Sequence, residues 1–175
     1  MDESGVLMTP LVRRTWAPRG QVPLLAQRMG KREKVSVAGA IWLPPDWNSF
    51  HWFSSTLLNS YFNSQQVAAF LEKFLREVSG PLVLVWDGGP MHRGEPIRRL
   101  LANTHGQLTL EQLPPYSPEL NPVEFAWSWI KYGRLCNFVP KDSQFLLSRV
   151  LGEITHLHRH PELLRSFFSA AKLRI

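Results

Sequence analysis

Only four aspartates occur among the 175 residues, Asp2, Asp46, Asp87 and Asp142, so the carboxylates open to metal or acid–base chemistry can be weighed one at a time. Asp87 directly follows five apolar residues (LVLVW, 82–86), a run typical of strands buried on both faces. The crevice outside such strand ends is where open α/β sheets hold ligands, and Gly88-Gly89-Pro90 leaves the backbone free to turn sharply there. Capping a turn is the alternative role for the same aspartate. Glu124 also has two readings. In Asn121-Pro122-Val123-Glu124 the asparagine suits an N-cap, the proline a first helical residue and the glutamate the reciprocal side of a capping box. Pro114, Pro115, Pro118 and Pro122 restrict φ at four positions, however, which would fix the start of that helix and aim a first-turn carboxylate at Asp87. Asp2 sits beside Glu3 on the first extended segment, where neighbours point to opposite faces, so only one of them is expected to face the site. Three carboxylates from two strands and a helix make an oxygen-rich pocket suited to Mg²⁺ or Mn²⁺, as in two-metal phosphoryl transfer. No nucleophilic side chain in the sequence rivals them.

The elements that must carry these groups follow from spacing. Residues 2–9 suit a short strand, 34–43 a second that Pro44-Pro45 ends, and 50–53, extending towards Leu57, a third. Apolar positions recur at helical spacing from 64 to 78, and Gly80-Pro81 stops that helix. After the 82–86 strand come a helix over 95–103, a strand over 108–113, and helices over 122–134, 142–158 and 162–172. Antiparallel strands followed by alternating β and α segments predict a mixed sheet with helices packed on it. With 44% hydrophobic residues against 19% charged, a chain of this length can close one core. We divide it into a catalytic body over 1–140 and a C-terminal helical extension over 141–175 packed on the same body.

Four segments stand in a telling order: Asp2-Glu3-Ser4-Gly5; Arg14-Thr15-Trp16-Ala17-Pro18-Arg19-Gly20; the strand ending at Asp87 with His92 soon after; and Leu113-Pro114-Pro115-Tyr116-Ser117-Pro118-Glu119-Leu120-Asn121-Pro122-Val123-Glu124, followed by Trp127 and Lys131. Together they resemble the catalytic domain of bacterial insertion-sequence transposases related to mariner, and the proline-rich segment is the most specific part. The resemblance implies a ribonuclease H-like α/β fold of the retroviral integrase superfamily: a mixed sheet with flanking helices, here with a C-terminal helical extension. It implies a DDE triad of Asp2, Asp87 and Glu124 that binds Mg²⁺ or Mn²⁺, as two ions, and catalyses DNA strand cleavage and strand transfer. The partners it implies are DNA, as transposon ends and target, and further copies of the chain in a homodimer or larger assembly. Asp87 and Glu124 have 36 residues between them, slightly more than is usual in that superfamily, and Gly88-Gly89 replaces an Asn-Ala type of pair; neither change removes a ligand. The family's helix-turn-helix region is missing from this chain, and the first strand is expected to be truncated. The competing expectation is therefore a non-catalytic remnant acting as a DNA-binding or interaction module.

Twenty Lys and Arg against fourteen Asp and Glu leave a net charge of +6, which points to an anionic partner. All of the excess lies in 13–34, where Arg13, Arg14, Arg19, Arg28, Lys31, Arg32 and Lys34 face the single acid Glu33. This basic turn is the leading candidate for phosphate contacts, with His92, Arg93 and Lys131 beside the site and Arg98 and Arg99 as secondary candidates. Trp16 could stack on a base, but packing against the core is the favoured expectation. His156, His158 and His160 fall at a helix end, where cations suit the dipole; with no cysteine or acid nearby, a structural role is expected rather than zinc binding. The single Cys136 excludes an internal disulfide and is expected to be a buried, inert thiol. No apolar run approaches the about 20 residues that cross a bilayer, and the Met-Asp-Glu start is opposite in charge to a secretory signal. A soluble, cytoplasmic, nucleoid-associated chain is expected.

Overall fold

A computed structural model describes residues 1–25 and 33–173; Arg28, Lys31 and Arg32 lie outside the described residues. Three antiparallel strands come first, β1 (Asp2–Leu7), β2 (Lys34–Trp42) and β3 (His51–Leu58), in that spatial order, with Asp2 opposite Gly39. Helix α1 (Ser64–Glu77) leads to β4 (Leu82–Trp86), α2 (Glu95–Asn103) and β5 (Leu108–Gln112), and the α2 crossover leaves β5 parallel to β4. Helices α3 (Pro122–Ser128), α4 (Ser143–Arg159) and α5 (Pro161–Ala170) complete the chain.

Local chemistry accounts for the helix starts. The Asn63 side chain accepts from the Gln65 and Gln66 N–H groups while Gln66 accepts from the Asn63 N–H, a capping box worth about 1 kcal/mol. Asp142 caps α4 by accepting from the Phe145 N–H at 2.7 Å. The helices cover both faces of β2. Its Ala38 and Ala40 face the cluster that contains Phe70, Leu71 and Phe74 of α1, whereas Val35 and Val37 face Trp127, Leu146, Val150 and Leu157. Small residues on one face admit the large phenylalanines, and the strand is buried from Val35 to Ala40.

The strand buried on both faces is therefore β2, flanked by two neighbours, and this corrects the expectation for 82–86. In β4 only Leu84 and Trp86 are buried, while Val83 and Val85 are exposed. The antiparallel and parallel parts of the expected mixed sheet are both present, but as a three-stranded and a two-stranded sheet. Just before β1, the Met1 amino group donates to the Val85 carbonyl of β4 at 2.9 Å, but β1 and β4 are not paired as one sheet.

Three further expectations change. The helix expected over 122–134 is α-helical only to Ser128 and then widens into a π-helix (Trp129–Arg134), closed by the Leu135 N–H on the Ile130 carbonyl at 2.9 Å. Trp16 is 99% exposed rather than packed on the core, because the segment after β1 runs outside the body; it is pinned to it where Asn137 bonds Leu11 and Arg13. Cys136 is half-buried rather than buried, lying in the irregular stretch after the π-helix. Among the described residues no helix is long and apolar enough to cross a membrane.

Candidate active site

Asp2 is 6% exposed, and the indole N–H of Trp127 donates to its Oδ2 at 3.0 Å. Gly39, its partner on β2, makes this approach possible: a Cβ there would stand 2.5 Å from the Trp52 ring and 2.8 Å from that of Trp127. The two indoles meet edge to face at 5.5 Å. Burial, followed by the negative charges of Glu124 and Glu3, pushes the Asp2 carboxyl up to about 7.

Asp87 leaves the end of β4 with its side chain 55% exposed, and the Gly89 N–H donates to its Oδ1 at 3.0 Å. A Cβ on Gly88 would run into the Gln112 side-chain amide, and one on Gly89 would lie 2.6 Å from the Met91 sulfur. The glycine pair thus permits the tight turn that presents Asp87, so the aspartate both organises a turn and faces the pocket.

Glu124 is exposed on the first turn of α3, and the capping reading fails for it. Asn121, itself buried, caps through its side chain on the Val123 N–H at 3.2 Å, but its own N–H goes to the Pro118 carbonyl at 3.0 Å. The Glu124 carboxylate therefore has no hydrogen bond or salt bridge among the described residues. Asp87 and Glu124 line one cavity of ≈ 360 Å³ with Gly88, Arg93, Gln112 and Tyr116. Tyr116 is fully exposed there with φ of 58°, a costly backbone for a bulky residue.

As the side chains stand, no group of three or more His, Cys, Asp or Glu residues converges closely enough to hold a metal ion among the described residues. The donor set nonetheless fits a hard divalent cation: anionic oxygens only, with Glu124 near enough for its charge to raise the proton affinity of Asp2. Lys131, on the π-helix, is half-buried and faces both Glu124 and Asp2; burial lowers its pKa, and the two carboxylates oppose that shift.

The other expected site residues scatter. Arg93 lines the cavity, and its guanidinium donates to the Gly88 carbonyl at 3.2 Å. Arg14 and Arg19 are exposed on the arm after β1, but the Arg13 guanidinium is tied to the Tyr132 carbonyl at 3.0 Å. Lys34 lies over the Tyr61 ring at 5.1 Å, and Arg98 and Arg99 pair with Glu95. His92, expected at a phosphate, is instead 5% exposed with both nitrogens engaged within the protein. His156 stacks between Trp129 and His160, and His160 does have an acidic partner, Glu162 at 2.6 Å. Sequence reasoning missed Glu3 as a partner of His92 and Trp127 as a partner of Asp2. The signals were strand alternation, which puts Glu3 opposite Asp2, and the +3 spacing from Glu124 to Trp127.

Residues 1–145 match the model of a family described as DDE superfamily endonuclease. Among solved structures, the chain is similar to a Mos1 strand transfer complex with a TM-score of 0.63 at 15% identity, covering 97% of this chain and 50% of that one. A pre-cleavage Mos1 transpososome gives 0.57 at 15% identity, covering 99% and 55%, and a Mos1 mariner paired end complex with Mn gives 0.52 at 15%, also covering 99% and 55%. Likeness at this identity establishes a shared fold, and the chain spans about half the length of these structures' chains. Comparison with curated proteins finds no match.

Proposed function

The chain belongs to the DDE superfamily endonuclease family, and from that premise we propose that it is the catalytic part of a transposase, cutting DNA strands and joining them to a target with Mg²⁺ or Mn²⁺. The observation that carries this reading is the state of its carboxylates. Among the described residues Asp2 is buried without a salt bridge, and burial and the charges of Glu124 and Glu3 push it up to about 7; the Glu124 carboxylate, unbonded among the same residues, shares a cavity with Asp87. A protein gains nothing in stability from such an arrangement, whereas a cation-binding site needs it.

Asp2, Asp87 and Glu124 would hold the metal, as two ions. When bound, the metal supplies Lewis-acid stabilisation at phosphorus and a more acidic water or 3′-hydroxyl. The protein's own groups then have separable tasks. The Trp127 N–H orients Asp2, the glycine turn presents Asp87, and the capped, proline-fixed start of α3 holds Glu124. Lys131 and Arg93 place positive charge beside the carboxylates, where a phosphate would otherwise be repelled. Arg14 and Arg19 extend that charge along the exposed arm, and Lys31 and Arg32 belong to the same basic segment. Transposon ends and target DNA are the proposed substrates, a homodimer or larger assembly on the nucleoid is the proposed working form, and residues 141–175 are proposed as an extension of the 1–140 body. The Mos1 strand transfer, pre-cleavage and Mn-containing complexes support these choices by analogy of fold.

The test is nicking of supercoiled DNA by the whole chain with Mn²⁺ or Mg²⁺. Asp87→Asn and Glu124→Gln should each lose at least roughly a hundredfold in rate, with thermal unfolding unimpaired, and chelation of the metal should abolish nicking. Undiminished nicking by either variant removes the triad assignment. Tight DNA binding with no metal-dependent nicking by the unaltered chain would favour a non-catalytic remnant.

A further inference from the structure

His92 is held more tightly than a phosphate contact would need. Its Nε2 lies 3.2 and 3.1 Å from the two carboxylate oxygens of Glu3, and its Nδ1 lies 2.9 Å from the Asp87 carbonyl and 2.8 Å from Asp87 Oδ1. Its side chain is 2% exposed, that of Glu3 is 10% exposed, and Trp86 stacks on the imidazole at 4.3 Å with the planes 8° apart. Nδ1 thus faces the carbonyl and Oδ1 of Asp87 and Nε2 faces the Glu3 carboxylate, so the ring is held from both sides. Asp87 Oδ1, the oxygen close to His92 Nδ1, accepts from the Gly89 N–H, while the hydrogen bond of Nδ1 itself is with the Asp87 carbonyl; Oδ2 has no hydrogen bond or ion pair among the described residues.

We propose that Glu3 and His92 are positioning residues that lock the Asp87 carboxylate by Oδ1 and leave Oδ2 as its metal-binding oxygen. The inference rests on the reading of Asp87 as a metal ligand and extends it to two residues that touch neither metal nor DNA. An exposed aspartate at a strand end would otherwise sample several rotamers and lose that freedom on binding the ion. Here Trp86 sets the ring plane, Glu3 sets the rotation of the ring within it, and Nδ1 fixes the carboxylate. Asp2 and Glu3, on opposite faces of β1, thus both serve the site: one directly, the other through the ring.

The experiment is Mn²⁺ titration of the whole chain by calorimetry without DNA, with metal-free thermal unfolding run in parallel. His92→Phe keeps the stacking on Trp86 but donates nothing; His92→Asn places an amide N–H near the position of Nδ1; Glu3→Gln keeps an acceptor but removes its charge; Asp87→Asn tests the metal reading itself. His92→Phe is expected to weaken Mn²⁺ binding by about 10- to 100-fold, Glu3→Gln by less, and His92→Asn is expected to recover much of the loss. Affinity should not follow unfolding temperature across the set. If His92→Phe and Glu3→Gln bind Mn²⁺ like the unaltered chain while Asp87→Asn does not, the positioning role is wrong and the metal reading stands. If Asp87→Asn binds Mn²⁺ undiminished, the metal reading of Asp87 fails, and the positioning role with it.

Discussion

Asp2 on β1 and Glu153 on α4 are both withdrawn from water, 6% and 2% exposed, yet their surroundings differ in kind. Glu153 is met by two guanidiniums: Arg134 donates through Nε to Oε2 at 2.8 Å, and Arg149 Nη2 lies 3.0 Å from Oε1. Each arginine also lies over an aromatic ring, Arg134 over Trp129 at 5.4 Å and Arg149 over Phe138 at 5.9 Å. Asp2 has one hydrogen-bond donor, the neutral Trp127 N–H; the acids Glu124 and Glu3 beside it carry its own sign, and Lys131 faces it without a salt bridge among the described residues. The fold pairs the acid that joins the π-helix to α4 with two guanidiniums and gives Asp2 no salt bridge among the described residues. A buried carboxylate with built-in cations is a structural pin; one left among other acids holds affinity for a cation from outside.

The sharpest way to break the contrast is to turn the pin into a copy of the site. Replacing both Arg134 and Arg149 with methionine leaves Glu153 buried and unpaired, which is expected to cost about 3–5 kcal/mol of stability at pH 8. Adding Glu153→Gln should recover much of the loss. Denaturant unfolding of the three proteins checks this, and a loss that Glu153→Gln does not recover would mean that the arginines act by packing alone.

The next largest effect runs the other way. Asp2→Asn in the metal-free chain is expected to stabilise the fold at pH 8, by roughly 2 kcal/mol, while abolishing metal-dependent nicking. The sign follows from the raised carboxyl: the folded state holds the proton up to about 7, whereas the unfolded chain releases it near 3.8. Stability therefore falls as pH rises from about 4 through 7, and the asparagine variant escapes that fall. At pH 4 the two proteins should unfold alike. A variant less stable than the original at pH 8 would show that Asp2 is already neutralised within the chain.

Much of this was legible in the sequence where one residue's chemistry decides. The apolar period of α1, the Gly80-Pro81 stop and the proline-fixed start of α3 act through local φ and hydrogen bonding, and their elements lie where spacing puts them. Asp87 and Glu124 share a cavity as the shape of their loops implied. What stayed hidden depends on neighbours distant in sequence. LVLVW reads as doubly buried, but burial is set by how many strands flank it, and the small residues of 35–40 fill that place instead. His92 reads equally as a phosphate contact or a satisfied structural histidine, because nothing local reveals Glu3, 89 residues away. Trp16 reads as core because an arm that leaves the body has no signature in hydropathy.

The smallest effect separates the causes at Asp2. Burial acts first on its carboxyl, and the charge of Glu124 second. Glu124→Gln removes only the second and keeps the size of the side chain that lines the cavity; the α3 cap and the Trp127 bond do not involve Glu124. Glu124 is exposed and its charge is screened by water, so the gain in metal-free stability at pH 8 should be well below that of Asp2→Asn, about 0.2–1 kcal/mol. The midpoint of the pH-dependent fall should move down, because Asp2 would ionise more easily with one fewer acid beside it. Added salt should narrow the gap between Glu124→Gln and the original chain while leaving most of the Asp2→Asn gain in place, since salt screens charge across solvent but does not rehydrate a buried group. Equal gains from the two variants would mean that repulsion, not burial, sets the state of Asp2.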